Sequence, residues 1–282
     1  MRIVSLLPST TEILFALGAG EEVVGVTFEC DFPPRARERR VVSTSAMPEG
    51  LEPGEIDAWV SAAMARGEDL YRLDEGALAE LDADLVVTQD LCAVCAVDVA
   101  TVDAALAHLG CRAEVLTCDP HTLEEVWGSV AAIGRATGRE EAAARIVAEQ
   151  RARLAAVRER VAGRSPVPVA FLEWTDPPYA PGHWIPEMIT AAGGTPVLGE
   201  AGRKSVRTTW EALHAAAPEV VVVAPCGYDR ATCQQHADAL VAAGRLPDGV
   251  RVHAVDANAS WARPALRLVD GVEELAGVLH PR

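Results

Sequence analysis

Short apolar, β-prone runs recur along this chain between stretches of helical pattern, and that alternation limits its fold more than any other feature. The runs are 2–7 (RIVSLL), 22–27 (EVVGVT), 84–88 (DLVVT), 112–117, 167–173 (VPVAFLE), 219–224 (EVVVVA) and 250–255 (VRVHAV). Helical patterns cover 10–17, 76–82, 99–110, 184–192, 208–216, 231–243 and 264–279. Ser9 and Glu12 have the spacing of a capping box, and Gly18 stops the first helix. A strand–helix–strand rhythm of this kind implies a parallel sheet covered on both faces.

From Thr122 to Ala162 the pattern is helical, with a break at Thr137–Gly138. Residues 139–162 are rich in Ala, Glu, Arg and Leu, and a helix of that length spans ~36 Å. The order of elements before this stretch repeats after it. The expectation is an α/β chain of two similar lobes with parallel sheets joined by one long helix. The boundaries are an N-terminal lobe over 1–121, a helical segment over 122–163 and a C-terminal lobe over 164–282.

Charge excludes some partners. The net charge of −16 argues against a nucleic-acid surface, which needs a positive field to displace counterions, and against an anionic membrane surface. The first apolar run is too short for a secretion signal and is interrupted by Pro8 and Glu12. No stretch reaches the ~20 apolar residues of a membrane span. A cytoplasmic protein is the expectation, with an extracytoplasmic one only if residues precede Met1. Seven cysteines, an odd number, do not suggest a disulfide framework.

In open parallel sheets, ligands bind beyond the carboxyl ends of the strands. The loops expected there hold Cys30, Cys92, Cys95 and Cys226, along with Trp174, His183, Trp184 and Trp261; Cys111, Cys118 and Cys233 lie elsewhere. If the lobes face each other, one cleft receives the whole first set.

Three readings of Cys92 and Cys95 stay open. They are buried inert thiols, a redox pair at a helix start, or metal ligands completed by Cys30 and by His183 or Cys226. The last set suits zinc, an iron–sulfur centre or copper(I). His183 is either a loop histidine bonded to backbone or a metal ligand. Trp174 and Trp261 are expected in a cleft wall, where flat ligands favour rigid rings, and Trp184 faces either the cleft or its own helix core. Trp59, Trp127 and Trp210 sit in helical contexts and read as packing. Ser9, Thr10 and Thr11 cap the first helix or offer a ligand the amides of its first turn. Asp31, Asp176 and Asp256 are solvated loop carboxylates or partners for ligand amides. No GxSxG, P-loop, HExxH or GxGxxG motif marks an enzyme.

Four segments carry a resemblance: "SLLPSTTEILFALGAGEEVVGVT", "CDFPP", "DPPYAPGHWIPEMITAAGG" and "WARPALRLVDGVEELAGVLHP". Together they resemble the substrate-binding proteins of iron-complex and cobalamin ABC importers, along nearly the whole chain and closest to the cobalamin-binding branch. The resemblance implies two Rossmann-like lobes, a rigid interlobe helix, a tetrapyrrole-type or siderophore ligand, an ABC permease as partner and no catalysis. The leading expectation is a corrinoid (cobalamin-like) or related metal complex held in an interlobe cleft, its faces on Phe28, Trp174, Tyr179, Trp184 and Trp261. Ser9, Thr10, Thr11, Asp31, Asp176 and Arg263 would meet its rim. Cys30, Cys92, Cys95, His183 and Cys226 would contact the metal centre. With no export signal read at the start, the role expected is a cytosolic carrier or sensor. The alternative from another class is a metal- or thiol-dependent enzyme built on Cys30, Cys92 and Cys95.

Overall fold

The structure, a computed structural model, describes residues 1–89 and 113–281. They divide into two compact units, Met1–Pro120 with Trp127–Val147, and His121–Val126 with Ala148–Arg282. Each is an α/β unit.

The first unit holds strands β1 (Ile3–Ser5), β2 (Val23–Thr27), β3 (Arg40–Ser45), β4 (Tyr71–Leu73), β5 (Leu85–Thr88) and β6 (Glu114–Thr117). Among the described residues they form one sheet in the order β4-β3-β2-β1-β5-β6. Its pairs are parallel except β3 with β4. Every residue of β1 and β5 is buried, which is why these runs are continuously apolar rather than alternating. Val4, Leu6, Val42, Leu78 and Val86 share one core cluster. The chain proceeds from β1 to β2 and β3 on one side, then returns to the other flank as β5 and β6. The sheet's direction of growth therefore reverses between β1 and β5, a position where such sheets bind ligands.

The first helix runs Pro8–Ala16, two residues earlier than the sequence suggested, and Ser9 with Glu12 is not its cap. Leu7 takes the N-cap position in extended conformation with no side-chain hydrogen bond, and Pro8 supplies the helical φ at the first turn. Gly18, at φ +83°, ends this helix as expected. The helix Pro53–Ala65 and the strands β3 and β4 are additions to the sequence reading. That helix opens on a capping box built from Glu52 and Glu55.

The break near Thr137–Gly138 is present. One helix ends at Ala136, Gly138 turns at φ +65°, and a second helix runs Glu140–Val161. Its 22 residues span about 33 Å. It begins in the first unit and continues into the second, where Arg153 bridges Glu273 at 2.7 Å and Asp270 at 2.6 Å on the terminal helix Leu268–Leu279.

The second unit holds β7 (Val167–Leu172), β8 (Trp174–Thr175), β9 (Pro178–Ala180), β10 (Gly194–Pro196), β11 (Val206–Arg207), β12 (Val220–Val223) and β13 (Arg251–Ala254). The main sheet has the order β10-β7-β12-β13, all parallel. Its centre is the buried run Val220–Val223 beside Phe171 and Leu172. Burying one such large side chain is worth about 1.5–3 kcal/mol. Growth reverses here between β7 and β12. A small antiparallel sheet, β11-β9-β8, begins where β7 ends.

Candidate functional site

The register of the small sheet arranges the second unit's unusual side chains. Trp174 lies opposite Tyr179, and Tyr179 opposite Arg207. Directly paired residues share a face, so these three form one cross-strand row. The alternate positions Thr175, Pro178 and Ala180 are buried and hold the sheet against the unit. The Arg207 Nε–H donates to the Tyr179 hydroxyl at 2.9 Å, and the guanidinium carbon lies 5.9 Å from that ring's centroid. At the other end the Trp174 indole stacks on Tyr228, with centroids 6.0 Å apart and planes at 22°. Tyr228 in turn meets the His236 ring at 5.1 Å, and His236 Nδ1 lies 3.3 Å from the Thr175 hydroxyl.

Trp174 follows β7 and Tyr228 follows β12, the two strands that flank the reversal of the main sheet. Their stack therefore stands where a parallel sheet is built to receive a ligand. Planar, rigid, half-buried rings can hold a flat apolar ligand, and the polar ends of Tyr179, Arg207 and His236 can meet its substituents.

The loops around the row are tied down by Glu173. One carboxylate oxygen accepts the Gly182 N–H at 3.1 Å, the other accepts the Ser205 hydroxyl, and the Glu173 carbonyl accepts the Cys226 N–H at 3.0 Å. Gly182 has no room for a side chain: a Cβ would lie 2.4 Å from both Arg203 O and Ser205 N. His183 follows in the left-handed region at φ +51°. Its N–H donates to Arg203 O at 2.6 Å, and its carbonyl accepts from Gly202 at 2.9 Å. The His183 ring sits 5.6 Å from those of His121 and Trp184. Burial, helped by the charge fields of His121 and Lys204, pulls its pKa down to about 4. His183 is thus a neutral imidazole at ordinary pH, and its buried Nε2 makes no hydrogen bond.

In the first unit, the expected amide-binding residues turn inward. Ser9, Thr10 and Thr11 are buried. The Thr10 and Thr11 hydroxyls bond to Leu7 O at 3.2 and 3.0 Å and to the Ser5 hydroxyl at 2.7 and 2.8 Å. Thr11 also lies 3.0 Å from the Cys30 sulfur. This knot pins the turn after β2, from which Phe28 and Phe32 project with 44% and 42% of their surface exposed. Phe28 leans on the Tyr71 ring at 6.2 Å, and Tyr71 bonds the Glu29 carboxylate at 3.1 Å. Phe32 and Tyr228 are the surface aromatics that reading the sequence did not single out.

The proposed site residues thus fall in several places. Trp184 and Trp261 are interior. The Trp184 indole donates to Trp261 O at 2.8 Å, and Trp261 packs on Phe171 with centroids 4.9 Å apart. Trp261 is thus too deeply buried for the wall role foreseen for it, and the ring beside Trp174 is Tyr228. Asp176 is exposed, and its carbonyl accepts from the Trp174 indole at 3.0 Å. Asp256 caps the helix Ala257–Ser260 through Ala259 N. Asp31 and Arg263 are half-buried in their loops.

Of the foreseen metal ligands, Cys92 and Cys95 lie outside the described residues. Cys30 is buried against Thr11, and Cys226 is exposed. Among the described residues no three His, Cys, Asp or Glu side chains come together as metal ligands. Burial pushes the Cys118 and Cys233 thiols up to about 11, so both are protonated and unreactive at ordinary pH.

A family model described as "Periplasmic binding protein" matches residues 3–240. The chain belongs to that family. As a periplasmic binding protein it binds and does not catalyse, and the thiol-enzyme alternative has no support. One relative is the uncharacterized ABC transporter substrate-binding lipoprotein YvrC of Bacillus subtilis, 24% identical over 99% of this chain and 80% of its own length. Another is the vitamin B12-binding protein of Vibrio cholerae, 24% identical over 99% of this chain and 88% of its own length. Among solved structures, the periplasmic heme-binding protein RhuT of Roseiflexus sp. RS-1 superposes with a TM-score of 0.73 at 25% identity, covering 99% of this chain and 98% of that one. These relatives correct the expected location. They are lipoprotein and periplasmic members, so the cytoplasmic assignment drawn from the first residues does not hold. That inference failed because it treated the opening residues as evidence of address.

Proposed function

We propose that this chain is the substrate-binding component of an ABC importer for a flat metal complex, a corrinoid or a haem, and that it works outside the cytoplasm. The observation that carries the reading is the ring stack of Trp174 on Tyr228 at the point where the second unit's sheet reverses. Relatives named for vitamin B12 and for heme support the ligand class. In the first unit Phe28 and Phe32 offer a second exposed aromatic surface on a turn held by buried hydroxyls. Rings of this kind bury the faces of a macrocycle at little entropic cost, because each has only two rotatable side-chain bonds.

Titrating the purified chain with cobalamin and with haem, followed by tryptophan quenching and by the visible band of the ligand, tests this. Saturable one-to-one binding of either is expected. Failure of both to bind at micromolar concentrations would remove the reading.

A further inference from the structure

The ring stack of the second unit depends on how Tyr228 is held. Tyr228 follows Gly227, which stands at φ +93° with open space where a side chain would be. Glycine has the most backbone freedom of any residue, so the peptide leading into Tyr228 needs a hold from outside. Asn258 supplies it, from the one-turn helix Ala257–Ser260 that follows β13. The Asn258 Nδ2 donates to Gly227 O at 2.9 Å, and the Asn258 backbone N–H donates to Tyr228 O at 3.1 Å. Those two carbonyls belong to the peptide planes on either side of the Tyr228 Cα. One residue thus grips both planes, and with them the direction in which the ring leaves the chain.

The surroundings make this grip firm. Asp256 anchors the helix of Asn258 through Ala259 N at 2.8 Å, and Asp229 caps the helix after Tyr228 through Thr232 N at 2.9 Å. The Cys226 N–H, donating to Glu173 O at 3.0 Å, ties the same segment to the strand end that carries Trp174. The Cys233 thiol adds a weak bond to Tyr228 O at 3.7 Å. A carbonyl partner also settles the side-chain amide of Asn258: its NH2 faces Gly227, since the reverse would set two oxygens against each other.

We propose, on the footing of the function given above, that Asn258 is a positioning residue for the ligand: it holds Tyr228 at the angle at which its ring stacks on Trp174. It acts through Tyr228, so its effect on binding should vanish when that ring is absent.

A double-mutant cycle tests this. The full chain, Asn258→Ala, Tyr228→Ala and the double variant are titrated with cobalamin and with haem. Asn258→Ala should weaken the bound ligand about threefold in the parent and less than about 1.5-fold in the Tyr228→Ala background. Asn258→Asp, which sets an oxygen against Gly227 O, should weaken it at least as much as Asn258→Ala. Asn258 is half-buried and makes one side-chain bond to this segment, so the thermal midpoint should fall by no more than about 4 °C. Near-ultraviolet circular dichroism of the ligand-free protein reads the ring packing directly. Asn258→Ala should alter the spectrum in the sense that Tyr228→Ala does, and should add nothing to Tyr228→Ala. Equal losses of affinity in both backgrounds, no loss in either, or an unaltered spectrum would overturn the proposal while leaving the binding function in place. Failure of the unaltered chain to bind either probe would overturn both.

Discussion

The Thr11 hydroxyl lies 3.0 Å from the Cys30 sulfur, and both residues are buried in the first unit. The thiol is therefore occupied in closing the turn that displays Phe28 and Phe32. Cys30→Ala should cost about 1 kcal/mol of stability and leave both metal content and ligand affinity as they were. Elemental analysis of the purified variant checks this, and loss of a bound metal from a fully folded variant would return Cys30 to the set of metal ligands.

Trp174→Ala removes one ring of the stack with Tyr228 without opening the core, since the buried positions beside it in the small sheet, Thr175 and Pro178, carry the packing. Affinity for haem or cobalamin should drop roughly two- to tenfold. The loss should be alike for charged and uncharged ligands. Absorbance titrations measure it, and unchanged affinity for both ligands would place the binding surface elsewhere.

His183 has a pKa of about 4 in the folded chain against an ordinary 6.5, with burial the main cause. The unfolded chain therefore takes up a proton first as pH falls. Stability from this position is complete above about pH 6.5 and declines as pH drops toward 4. Discounted for solvent screening at a half-buried ring, the effect is about 1 kcal/mol. His183→Asn tolerates the left-handed backbone and cannot titrate, so its urea midpoint should fall less than the parent's between pH 6.5 and 4. Parallel curves over that window would contradict the assignment.

Gly182→Ala should be among the most damaging single changes in the second unit. The added Cβ would lie 2.4 Å from backbone atoms of Arg203 and Ser205, so main chain rather than a flexible side chain has to move. A loss of about 3 kcal/mol is expected, together with weaker ligand binding as the turn carrying Arg203 and Ser205 is pushed away. A thermal midpoint equal to the parent's would show that the turn yields freely.

The parallel strands were readable because strands covered on both faces are continuous apolar runs, as Val220–Val223 and Leu85–Thr88 are. The helix break at Gly138 was readable because glycine there adopts a positive φ. Strand β3 was not, since Arg40 and Val41 are exposed and dilute its apolar signal. The helix Pro53–Ala65 starts on a glutamate cap instead of the usual hydroxyl or aspartate. At the site, Trp174 and Tyr179 stood out by residue type, but Arg207 and Tyr228 join them only through strand register and strand order. Neither property is written in local sequence. At Thr10 and Thr11 residue type left a helix cap and an open amide site undecided, and the hydroxyls face inward to Leu7 O.

The small antiparallel sheet separates two duties by parity. Thr175, Pro178 and Ala180 anchor it, while Trp174, Tyr179 and Arg207 point the other way. A lineage could exchange those three outward side chains one at a time and acquire a new cargo with the scaffold undisturbed. Inserting or deleting a single residue in any of the three short strands would do the reverse, swapping the anchoring set with the displayed one and losing both at once.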